Sequence, residues 1–164
     1  MNPEGENYDL RLLRSLRQVI RAVDKYSHKL NTELGLTTPQ LLCLDTLAKS
    51  ENLMTQTGLC AAVNLGASTI NGIVDRLEAK QYLVRQRSHL DRRQVFLQLT
   101  PAGHGIVDKA PMLLQYRLSA SLRARPELEQ KNITEALEKV VSMMEVEAMD
   151  ASPNLFARDT VEPE

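Results

Sequence analysis

Leu65 to Thr100 reads LGASTINGIVDRLEAKQYLVRQRSHLDRRQVFLQLT, and a change of hydrophobic period inside it decides the fold. From Ala67 to Lys80 the apolar residues Ile70, Ile73, Val74 and Leu77 recur at helical spacing and mark one buried stripe. The opposite face carries Ser68, Thr69, Asn71, Gly72, Asp75 and Arg76. The period then becomes two. Leu83, Arg85 and Arg87 alternate with Val84, Gln86 and Ser88, and after Asp91-Arg92-Arg93 the run Gln94 to Leu99 sets Val95, Leu97 and Leu99 on one side. Two strands joined by a basic tip, directly after a helix with a polar face, predict a winged helix-turn-helix. That is a reader of nucleic acid.

Working upstream, Asn64 to Gly66 is a turn, with Gly66 at the cap of the reading helix. Thr55 caps a short helix containing Leu59, Ala62 and Val63. Thr38-Pro39 starts an earlier helix, with Thr38 as cap and Leu41, Leu44 and Leu47 on its buried face. Before Gly35, the spacing of Leu12, Leu16, Val19, Val23, Tyr26 and Leu30 predicts a long helix over 10–34 with a seam for other helices. Arg14, Arg17, Arg21 and Lys25 form a basic stripe beside that seam, which reads first as a solvated face.

Downstream, Thr100-Pro101 opens another long helix by the same cap-plus-proline logic. Its apolar face is Ile106, Val107, Leu113, Leu114, Leu118 and Leu122, with a kink expected over 107–110 because Pro111 removes a backbone donor. Arg125-Pro126 begins a last helix in which Ile133, Leu137, Val140 and Met144 repeat. The pattern stops after Glu147, and the acidic stretch 148–164 reads as disordered. The expected organisation is a flexible 1–9, a dimerisation helix 10–34, a winged helix-turn-helix unit 35–100, dimerisation helices 101–147 and the tail. The fold class is mainly α with a small two- to three-stranded β wing.

Composition supports this reading. The chain has 164 residues, 43% of them hydrophobic but only 4% aromatic and none Trp, so its core rests on aliphatic residues. The net charge of −1 hides an asymmetry: residues 1–126 carry 17 Lys+Arg against 11 Asp+Glu, and residues 127–164 carry 3 against 10. Six basic and two acidic residues lie between Arg76 and Arg93, where a phosphate-binding footprint is needed. No run of about 18 apolar residues and no signal-peptide pattern occurs, so a soluble cytoplasmic protein without membrane contact is expected.

The chemistry of reading follows from groove geometry. Ser68, Thr69 and Asn71, with Gly72 permitting close approach, are the candidates for base edges in a major groove, and Arg76 for phosphate. Arg92 and Arg93 at the tip suit the negative potential of a narrow minor groove, with Asp91 orienting Arg93. Enzymatic motifs are missing: there is no glycine-rich phosphate loop, no G-x-S-x-G and no His-x-x-x-His. His28, His89 and His104 are scattered, and with Cys43 and Cys60 they form no metal-ligand spacing, so neither metal nor cofactor is expected. The two cysteines read as structural rather than as redox sensors, since neither has a basic neighbour in sequence to make it a thiolate. The alternatives are a redox-sensing regulator acting through Cys43 or Cys60, or a winged-helix protein-interaction module.

The residues Ser68 to Glu78, the tip Asp91-Arg92-Arg93 and the run Leu97-Gln98-Leu99-Thr100-Pro101-Ala102-Gly103 resemble the MarR family of bacterial transcriptional regulators, over roughly residues 10–147. Leu36-Thr37-Thr38-Pro39-Gln40 is similar to the segment opening that family's second helix. Two departures stand out: Gln81 replaces a helix-ending Gly, and Gly72 stands where a longer side chain is common. The resemblance implies a homodimer with one reading head per subunit on an inverted-repeat operator, commonly as a repressor. Apolar faces on the terminal helices independently ask for a two-fold partner. It also implies a small-molecule effector site between the dimer helices and the winged unit, with Tyr26, Leu30, Cys43 and Met112 as candidates. The stretches Arg21-Ala22-Val23-Asp24-Lys25-Tyr26-Ser27 and Leu36-Thr37-Thr38-Pro39-Gln40-Leu41 are similar to regulators of compatible-solute (ectoine-type) genes, which would make ionic or osmotic stress the signal.

Overall fold

The computed structural model describes residues 7–87 and 94–144, and the chain divides after Thr37 into two units. The first holds α1, Tyr8–Leu34, with Asn7 in the cap position. Tyr8 and Asp9 are therefore helical, a correction to the loose start expected through residue 9; Asp9 suits the positive end of the helix dipole. The helix ends where Gly35 turns left-handed at φ 62° and donates its N–H to the Asn31 carbonyl at 2.9 Å. Leu10, Leu12, Leu13, Val19 and Ile20 stay exposed along it, as do Arg14, Arg17, Arg21 and Lys25.

The second unit begins with α2, Thr38–Lys49. Thr38 is the first helical residue rather than the cap, a one-residue shift of the kind helix ends commonly show. Leu41, Leu44 and Leu47 are buried as their spacing predicts, but so are Leu42 and Cys43. A helix covered on most sides is a core helix, not an amphipathic surface one. Around it pack α3 (Gln56–Val63), through buried Leu59 and Val63, and α4 (Ala67–Ala79), through buried Ile70, Ile73, Val74 and Leu77. Ala62 is exposed: eight residues make two turns, and 59 and 63 already supply the inward pair.

The sheet has three strands, β1 (Met54–Thr55), β2 (Leu83–Arg87) and β3 (Val95–Leu99), in the order β1-β3-β2. Both pairings are antiparallel, with Met54 opposite Leu97 and Leu83 opposite Leu99. Buried Leu83, Leu97 and Leu99 carry the core face, and exposed Val84, Gln86 and Gln98 the other, as period two requires. β1 has no sequence signal because it is two residues long and ends at the cap of α3.

After β3, Thr100 caps α5 (Pro101–Lys109). The kinked helix expected here is instead two helices, α5 and α6 (Leu114–Arg123), separated by 110–113. Pro111 explains the break, because a residue before proline is pushed out of the helical region, and Ala110 sits at φ −71°, ψ 142°. Leu113 is also extended and is the buried anchor of the link. The last element is α7 (Glu127–Met143), which buries no residue and exposes Leu128, Ile133, Leu137 and Val141. Residues 148–164, expected to be a disordered tail, lie outside the described residues.

Candidate nucleic-acid interface

α3, a three-residue turn and α4 make the helix-turn-helix. The turn starts at Asn64, left-handed at φ 51°, a conformation that Asn tolerates better than most residues. Its N–H and that of Leu65 both return to the Cys60 carbonyl. The chain then bends by 113° into α4, within the usual range for this motif. Gly66 caps α4 without a side-chain hydrogen bond, so the first-turn N–H groups are not occupied by a cap side chain and can face an anion.

With four residues turned into the core, the outer face of α4 is fixed. Ser68, Asn71, Asp75 and Arg76 are exposed and Thr69 and Gly72 half-buried. A Cβ added at Gly72 would meet nothing within 4 Å, so the helix presents a shallow notch there. Asn71 is not alone: its amide oxygen lies 3.4 Å from Nε2 of Gln56, the first residue of α3. That neighbour was not evident in the sequence, because the two are 15 residues apart.

The far end of α4 is held by a turn in which Gln81 adopts φ 60°. Gln81 N–H donates to the Glu78 carbonyl at 2.8 Å and Tyr82 N–H to the Leu77 carbonyl at 3.0 Å, the paired bonds of a Schellman ending. The left-handed turn thus forms despite the missing glycine. Thr100 fastens it to the next helix: its hydroxyl donates to the Gln81 carbonyl at 2.7 Å and accepts from Gly103 N–H at 3.0 Å, while its own N–H donates to the Tyr82 carbonyl at 3.1 Å. Gly103 is there for space. A Cβ on it would stand 1.9 Å from the Tyr82 carbonyl oxygen.

β2 is tied to α4 by charge. The Arg85 guanidinium donates through Nη2 to Asp75 Oδ1 at 2.6 Å and through Nη1 to Glu78 Oε2, while Arg85 N–H donates to Glu78 Oε1 at 3.3 Å. The Asp75 hydrogen bond, ahead of the opposing effect of burial, pushes the guanidinium pKa upward. Sequence reasoning set Asp75 on the reading face and Arg85 in the strand without joining them. Two carboxylates three residues apart on a helix, with an Arg in the following strand, were the available signal. Asp91, Arg92 and Arg93, expected at the tip of the wing, lie outside the described residues, as does His89.

A cleft of about 260 Å³ lies between α2, the end of α5, the 110–113 link and α6. Leu41, Val107 and Met112 contribute apolar wall, and Asp45, Lys49 and Tyr116 a polar corner. There Tyr116 Oη donates to Asp45 Oδ2 at 3.0 Å, Lys49 Nζ sits 2.8 Å from the same oxygen, and the ammonium lies 4.3 Å from the Tyr116 ring centre. Burial first, then the Asp45 carboxylate, push the Tyr116 phenol up to about 12. Of the four effector candidates, exposed Met112 lines this cleft and Cys43 is buried within α2. Tyr26 is half-buried and Leu30 buried on α1. Burial pushes the Cys43 thiol up to about 12, so it is protonated at neutral pH and a poor thiolate. Burial also raises the half-buried Cys60 thiol. Among the described residues no group of three or more His, Cys, Asp and Glu could hold a metal ion.

A helix with an exposed polar face set across a supporting helix, backed by a three-stranded antiparallel sheet, defines a winged helix-turn-helix protein. A MarR family model matches residues 34–94. The regulator MhqR of Bacillus subtilis is 30% identical over 100 residues, covering 60% of this chain and 68% of MhqR. The chain belongs to the MarR family of transcriptional regulators. Solved structures share the fold. The Staphylococcus aureus MepR–DNA complex superposes with a TM-score of 0.59 at 19% identity, covering 79% of this chain and 96% of that one. Bordetella bronchiseptica BpsR, whose DNA binding is regulated by 6-hydroxynicotinic acid, gives 0.57 at 22% identity, covering 86% and 98%.

Proposed function

We propose that this chain is a sequence-specific duplex-DNA-binding regulator, a repressor acting as a homodimer on a pseudo-palindromic operator. The observation that carries it is the face of α4: Ser68, Asn71 and Arg76 exposed around the open Gly72, on a helix held at both ends. MepR, which shares the fold, has been solved on DNA. Exposed apolar residues along α1 and α7 support a dimer, because a single chain leaves Leu10, Leu13, Ile20, Leu128 and Leu137 uncovered. On this reading 35–100 is the DNA-binding unit, flanked by dimerisation helices 10–34 and 101–147, and the protein works in the cytoplasm. Among the described residues, no single helix is long and apolar enough to cross a membrane.

The signal is a small organic effector. The cleft beside Tyr116, with apolar walls and a polar corner, is the candidate site, and BpsR offers a ligand-regulated precedent on the same fold. Selection of duplexes from a random pool tests the main reading. An enriched inverted repeat with half-sites about one helical turn apart is expected. A pool in which no symmetric sequence rises would reject it.

A further inference from the structure

We propose that Arg85 is the positioning residue of the reading head: by bridging Asp75 and Glu78 it fixes the recognition helix against the wing, and it does not itself contact DNA. The inference rests on the DNA-binding reading and adds a residue to it.

Asp75 and Glu78 sit one turn apart on α4, and the planar guanidinium reaches both, one nitrogen to each. The Arg85 backbone N–H takes the second oxygen of Glu78, so both oxygens of that carboxylate are held by one residue of β2. Only Arg has a fork able to do this; a Lys ammonium is a single point of charge on a flexible stem. Arg85 also pairs with Leu97 across the sheet, near the middle of β2. Fixing it therefore fixes the base of the wing. The Arg85 side chain is 27% exposed against 56% for Asp75, so the cation lies beneath the carboxylate rather than out toward a partner.

Two other roles would give different behaviour. A lone exposed ion pair contributes little, and its removal would leave binding unchanged. A phosphate contact would be rescued by Lys and would appear in the salt dependence. The positioning role predicts loss of sequence preference instead. It also fixes a sign that electrostatics alone reverses. Replacing Asp75 and Glu78 together by Asn and Gln removes two negative charges beside the reading face and leaves Arg85 charged, which should tighten binding if charge were all that mattered.

The test uses the full chain and the duplex enriched by selection, with a scrambled duplex as reference, by fluorescence anisotropy over a salt series. Wild-type binding is established first; if wild type binds no duplex selectively, the DNA reading and this one fail together. Asp75→Asn/Glu78→Gln should weaken binding to the enriched duplex at least about fivefold, the size of one lost base contact, while the scrambled duplex, held by charge alone, is bound as well as before or more tightly. Arg85→Lys should lose a similar amount without a change in salt slope. Circular dichroism and melting separate these losses from unfolding, and the carboxamide pair supplies the answer if Arg85 variants are unstable. Tighter binding of the enriched duplex by the carboxamide pair, or wild-type affinity for it in Arg85→Lys, would overturn the proposal.

Discussion

Two glycines in α5, two residues apart, should respond oppositely to the same substitution. At Gly103 a Cβ would lie 1.9 Å from the Tyr82 carbonyl oxygen and 2.9 Å from its carbon, whereas at Gly105 it would meet nothing within 4 Å. An ordinary C···O approach is about 3.3 Å, so Gly103→Ala must push the helix and the turn apart by roughly 1.4 Å. Backbone lies on both sides, so no side chain can swing aside. Overpacking of this kind costs about 1–3 kcal/mol. Straining the Thr100 N–H bond to Tyr82 adds about 1 kcal/mol, and the better helix propensity of Ala returns about the same. The net expectation is a loss of about 1–3 kcal/mol for Gly103→Ala and a gain of about 1 kcal/mol for Gly105→Ala. Urea unfolding at one fixed protein concentration measures both, provided the m-values agree. If Gly103→Ala unfolded at the same midpoint as Gly105→Ala or later, the junction between α4, the wing and α5 would be wrongly described.

Gln81→Gly should stabilise the fold by about 1 kcal/mol, since it relieves a side chain held at positive φ; the urea midpoint reads this directly. Asn71→Ala should cost on the order of 1–3 kcal/mol on the best duplex and relax preference at one position per half-site, measured by repeating the selection. Arg76→Ala should instead weaken binding to all sequences and lower the salt slope by about one ion per head. Stability should fall as pH rises from about 9 to about 12. There the unfolded chain releases the Cys43 thiol proton, ordinarily lost near 9.0, while the folded chain keeps it, and Tyr116 acts in the same sense above its ordinary 10.0. Cys43→Ala should flatten that decline in alkaline melting curves.

The parts of this fold legible in the sequence are those set by local rules. Ile70, Ile73, Val74 and Leu77 declare the inner face of α4 by spacing alone, and Thr100-Pro101 declares the start of α5. Pro111 announced a disturbance but not its size: a kink needs one lost bond, whereas extended backbone at both Ala110 and Leu113 ends one helix and starts another. The burial of Leu42 and Cys43 could not be read, because an amphipathic pattern cannot say whether further elements cover the second side of α2. The contacts that shape the exposed face of α4 are tertiary. Gln56 against Asn71 and Arg85 across Asp75 and Glu78 join elements whose packing is not written in any window of the chain.

Whether α4 reads base edges in the major groove is decided at the purine N7 atoms. Each purine of the enriched inverted repeat is replaced in turn by its 7-deaza analogue, which removes the major-groove N7 acceptor and leaves base pairing intact. If α4 reads base edges, wild-type binding falls about fivefold or more at one or more symmetry-related positions per half-site, and the effect is lost in Asn71→Ala. Uniform affinity at every substituted position in both half-sites would contradict it.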